Sequence, residues 1–86
     1  MDNPIGKRFQ NISGKTIQVP NRISNEFCWA PGERIDVLNE KGCLTNSGEI
    51  AGYIVHNIDY VGAHHAHEKA WISKEILEQS FKEIQK

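Results

Sequence analysis

Leucine is scarce in this chain, with three residues against eleven isoleucines and four valines. Side chains branched at Cβ are stiff at χ1 and suit a pleated surface better than a helix, so strands are favoured over helices for most of the chain. Cysteine is limited to two residues; without an export layout, Cys28 and Cys43 read as free thiols rather than a disulfide staple. No apolar run approaches the roughly 18 residues that span a bilayer. Met1-Asp2-Asn3-Pro4 lacks the basic-then-apolar layout of a secretory leader, so a cytoplasmic protein without membrane contact is expected. Charge of one sign is missing too. The formal net charge is −1, which removes the basic signature of proteins that live on phosphate backbones and weighs against nucleic acid as a partner.

What is present fits a single domain spanning residues 1–86. A chain of 86 residues buries only about 60–65% of its unfolded surface, so nearly every large apolar side chain is needed for a core. Little is left to line a deep substrate cavity, and the expectation is a protein that is not an enzyme and needs no cofactor.

The chain reads as strand-rich over 7–72. Lys7 to Ile12 and Lys15 to Val19 flank Ser13-Gly14 and are expected to pair as two strands around that turn, with Phe9 inward and Arg8 and Gln10 outward. Pro20 ends the second strand, because it lacks the N–H that would continue a ladder. Phe27-Cys28-Trp29-Ala30 is an apolar cluster stopped by the turn dipeptide Pro31-Gly32. Glu33 to Leu38 alternates, placing Ile35 and Val37 on the inner face. After turn residues near Gly42 and Gly48, Ile50 to Val61 is expected as the longest strand, with a bulge at Gly52 that bends it. A short strand through Trp71 follows. Ser73 is a candidate N-cap with Glu75 in the first turn. Ile76, Leu77, Phe81 and Ile84 form one stripe of an amphipathic helix expected over about 74–85, with Glu78 and Lys82 paired on its solvent side.

These elements define a mainly β (α+β) fold, a small curled antiparallel sheet with one C-terminal helix. The order from Glu33 to Ile72, an alternating strand, a glycine turn, a long bent strand, a loop and a short strand carrying Trp71, resembles small SH3-like barrels. The resemblance implies a closed or nearly closed sheet with its surface loops available for contacts.

Three sets of residues are candidates for function. Tyr60, His64, His65 and Trp71 can form an aromatic and imidazole patch at one end of the sheet, the residue types that dominate protein interfaces. Lys7, Arg8, Lys15 and Arg22 make a thin basic set for single-stranded nucleic acid, with Phe9 the only aromatic among them and read as core. His56, His64 and His67 are a possible metal set, although no Cys-x-x-Cys or His-Glu-x-x-His spacing supports it. Cys28 beside Phe27 and Trp29 reads as an inert core thiol, and Cys43 the same with more exposure. The leading expectation is a non-catalytic regulatory module, an accessory or phage-type inhibitor protein, that contacts another protein through residues 60–71 or a sheet edge. A homodimer through the helix face bearing Ile76 and Phe81 is the other protein partner considered.

Overall fold

The structure, a computed structural model, describes residues 3–18, 28–59 and 69–86. Nine strands and one helix follow in order: β1 (Arg8–Asn11), β2 (Ile17–Gln18), β3 (Cys28–Trp29), β4 (Arg34–Glu40), β5 (Cys43–Thr45), β6 (Gly48–Ile50), β7 (Gly52–Asn57), β8 (Lys69–Ser73), α1 (Lys74–Ser80) and β9 (Phe81–Ile84). Five of them form one antiparallel sheet in the order β8-β7-β4-β1-β9, while β2 pairs with β3 and β5 with β6. The expected antiparallel sheet with a helix near its end is therefore what the chain forms. The stretch that carries the resemblance to SH3-like barrels runs through β4, a separate β5–β6 hairpin, β7 and β8.

Alternation along the strands decides which side is dry. Phe9, Ile35, Val37, Tyr53, Val55, Ala70 and Ile72 turn to the inner face and are all buried. Trp29 from β3 and Leu77 from α1 close over that face, 1% and 0% exposed. The Trp29 ring meets Phe81 edge to face, with centroids 5.7 Å apart, a geometry that aromatic quadrupoles favour. Its indole Nε1 donates to Asn57 Oδ1 at 2.8 Å.

A second buried amide anchors the other side of Trp29. Asn11, 2% exposed, donates through Nδ2 to the carbonyls of Trp29 and Lys15 at 3.0 Å and of Ala30 at 3.2 Å. Its Oδ1 accepts from the Ser13 backbone N–H and hydroxyl. This side chain stands in for a ladder and so directs the chain away from β1. The expected hairpin between the first two strands does not form: β1 pairs with β4 and β9, leaving no side for β2, which pairs with β3 instead. At Ala30-Pro31-Gly32-Glu33, proline presets φ, Gly32 takes φ +85°, and Glu33 N–H closes on the Ala30 carbonyl at 3.0 Å, as a type II turn requires.

Three further expectations are corrected. The helix ends at Ser80 and not near residue 85, because Phe81 turns to extended backbone (φ −118°, ψ 152°) and begins β9. Strand β1 lies inside the sheet and needs a partner on its second side; pairing Arg8 to Asn11 with Ile84 to Phe81 supplies it, and that tertiary demand overrides a helical stripe. Lys82 is thereby carried off the helix and out of register with Glu78. The face expected to dimerise is also spent, since Leu77 and Phe81 are buried and Ile76 packs on the core. The N-terminal half of the expectation holds: β8 runs to Ser73, whose hydroxyl accepts from Ile76 N–H at 3.1 Å, with Glu75 in the first turn.

The long strand expected from Ile50 to Val61 is divided. Strand β6 folds back on β5, β7 starts at Gly52, Ile58 and Asp59 turn, and Tyr60 and Val61 lie outside the described residues. The register shift sits in β4 between Val37 and Asn39 rather than at Gly52. Gly52 is instead the floor under Trp71: a Cβ there would collide with the indole and lie 2.6 Å from the Ile72 carbonyl oxygen. Cys43 is exposed on the β5–β6 hairpin, not in the core. That hairpin is solvated throughout, with Leu44 77% exposed.

Replacing Asn11 by Ala strands buried carbonyls and should cost about 2–3 kcal/mol, read as a lower denaturant midpoint at unchanged m-value. Asn11→Asp should also destabilise at neutral pH, since a carboxylate cannot donate to the carbonyls of Trp29 and Ala30.

Candidate functional site

The register that buries one face of the sheet assembles the other. Ile84, Arg8, Asp36, His56 and Lys69 stand opposite one another in turn, a row that crosses β9, β1, β4, β7 and β8. Within it Arg8 grips Asp36 bidentately, Nε to Oδ1 at 2.8 Å and Nη2 to Oδ2 at 3.2 Å. A second fork closes the end of β7: Arg34 donates from Nε and Nη2 to Asp59 at 2.9 and 2.7 Å, and the Arg34 backbone N–H adds a third bond at 2.9 Å. These donors hold the carboxyls of Asp36 and Asp59 below their ordinary range, the hydrogen bonds from arginine being the leading cause in both. The guanidiniums are raised in return by the same bonds.

Both acids on this face are thus engaged by arginines, whereas Lys69, Lys82 and Lys86 have no ion-pair partner among the described residues. The chain is nearly neutral overall, yet its outer sheet face carries surplus positive charge. Trp71 lies on the same face, opposite Ile54. It is half-buried over Gly52, and its Nε1 donates to the Lys41 carbonyl at 2.8 Å, which fixes the ring plane.

The edge at β9 adds a shape. An open groove of about 680 Å³ runs beside it and is lined chiefly by Lys7, Arg8, Lys82, Glu83, Ile84 and Lys86. Lys7 reaches Glu83 across it at 3.7 Å. On its outer side β9 has no strand partner among the described residues.

Of the residues singled out from the sequence, Trp71, His56 and Arg8 come together on the outer face, although they belong to three different candidate sets. Lys7 and Arg8 begin β1 and Lys15 lies past its far end, its carbonyl held by Asn11. Tyr60, His64, His65, His67 and Arg22 lie outside the described residues. Among the described residues no three His, Cys, Asp or Glu side chains cluster in a way that would hold a metal ion. No helix among them is long and apolar enough to cross a membrane. Lys82 and Lys86 were not legible as site residues beside Ile84, because a helix through residue 85 turns Ile84 to the side away from them; the two-residue spacing of Lys82 and Ile84 is the signal that places both on one side of a strand.

No protein-family model, curated protein or solved structure matches the chain.

The two Asp–Arg forks have a signed consequence for pH. A carboxyl whose pKa is depressed in the folded state contributes stability above its unfolded value of about 3.9 and loses it as pH falls through the folded value. Acid titration followed by circular dichroism should therefore show a drop below about pH 4 that is shallower in Asp36→Asn and in Asp59→Asn.

Proposed function

We propose that this chain is a non-catalytic binding module of the accessory or regulatory kind, acting by contact with another protein. One observation carries the reading: the sheet ends in two edge strands, β8 and β9, each with a single strand partner among the described residues. Beside β8 stand the half-buried Trp71 and Ile54, apolar surface on the solvent side of the sheet. Unpaired edges are normally blunted or covered, and extended partners use them to add a strand.

Affinity capture from the native source, with wild-type protein beside Trp71→Ala and Lys69→Glu, tests the proposal. A protein retained by the wild type, then purified, should bind the variants at least about tenfold more weakly, as truncation of an interface anchor costs 2 kcal/mol or more. Leu44→Asp, on the solvated hairpin, should bind as the wild type does. Circular dichroism confirms that each variant is folded, and Lys69→Glu decides the matter if Trp71→Ala is not. Retention of the same proteins by every variant, or of none by the wild type, overturns the reading.

A further inference from the structure

We infer that the β9 edge receives an acidic, extended segment of the partner protein, which joins the sheet as an additional strand. The inference rests on the protein-docking reading, in which the partner meets Trp71 and Lys69 on β8, and adds a second contact of that partner at the opposite edge of the sheet with the chemistry that fits it.

Three observations converge on this edge. Its outer side has no strand partner among the described residues. The groove is basic: Lys7, Arg8, Lys82 and Lys86 line it against one acid, Glu83, which Lys7 engages. Asp36 answers Arg8, so Lys82 and Lys86 are the groove's charges left without an ion-pair partner among the described residues. Between the two lysines stands Ile84, half-buried and paired with Arg8. An apolar position flanked by bases on one side of a strand complements an acidic segment with apolar residues interspersed.

Charge selects among occupants. A second copy of this chain pairing β9 to β9 would bring lysines opposite lysines, which is destabilising across a ladder. A phosphate backbone would find the bases but would leave Ile84 and the edge N–H and C=O groups unused. A peptide uses all three, with main-chain bonds for affinity and alternate side chains for specificity.

The test uses short fluorescein-labelled peptides of alternating Glu and Val, with Lys-Val and oligo-dT as competing probes, and the full chain labelled with 15N. The Glu-Val peptide should raise anisotropy and shift amide resonances over Phe81–Lys86 and at Lys7 and Arg8. It should slow exchange at the β9 amides that do not bond to β1. Raising salt from about 0.05 to about 0.5 M should weaken it, because the Debye length shrinks severalfold. Lys82→Glu/Lys86→Glu should lose the Glu-Val peptide by at least about tenfold and gain Lys-Val, as electrostatic complementarity requires; Lys82→Gln/Lys86→Gln serves if the reversal does not fold. No shift at millimolar Glu-Val, shifts confined to β8, or equal binding of Lys-Val by the wild type overturns the inference. Tighter binding of oligo-dT at the same residues also overturns it, in favour of a nucleic acid. If capture finds a partner sensitive to Trp71 but the peptide does not reach β9, this edge is wrong and the docking reading stands. If capture finds none while the peptide adds to β9, the docking reading falls and the inference of a partner segment falls with it.

Discussion

The structure depends on keeping Trp29 inside. A two-residue strand cannot hold an indole in place by its own ladder, and a lone two-stranded ribbon is marginal in water. Two buried amides do the holding. Asn57, on the inner face of β7, accepts from the indole Nε1, and Asn11, at the end of β1, donates to the Trp29 carbonyl. One aromatic side chain thereby ties the β2–β3 ribbon to two strands of the main sheet, while Phe81 closes on its edge from β9. A buried polar group without its partner costs more than the bond itself gains, so the arrangement specifies one position for the ribbon, where a purely apolar contact would allow several.

The outer face follows from the same register. Because successive side chains alternate, the residues that bury Phe9, Ile35 and Val55 oblige Arg8, Asp36 and His56 to share the opposite side. Two acids there are matched by two arginines, and the lysines that remain fall on the outermost strands. The near-zero net charge of the chain conceals this segregation, since Glu75 and Glu78 lie on α1 rather than on the sheet.

Much of the fold was legible where a local pattern and its tertiary use agree. Ile35 and Val37 alternate and are buried; Ser73 has the chemistry of a cap and caps α1; Pro31-Gly32 reads as a turn and makes one. The failures have a common cause. Phe81 and Ile84 fit a helical stripe, yet an interior strand some seventy positions earlier recruits them, and no window of neighbouring residues can report that demand. Lys15 to Gln18 look like a hairpin partner for β1 until both sides of β1 are taken. Of the candidate sites, Trp71, His56 and Arg8 could be named from residue type alone. Their meeting on one face could not, because it depends on which strands become neighbours.

The pairing of β1 with β9 also sets the order in which the molecule can be made. Residues 8–11 join residues 81–84, so during synthesis β1 must wait, one side unsatisfied, until residue 84 has emerged. Pairings this distant along the chain slow folding. Until then a nascent chain presents an unfinished sheet to its surroundings, and early help from a chaperone would act on that exposed side of β1.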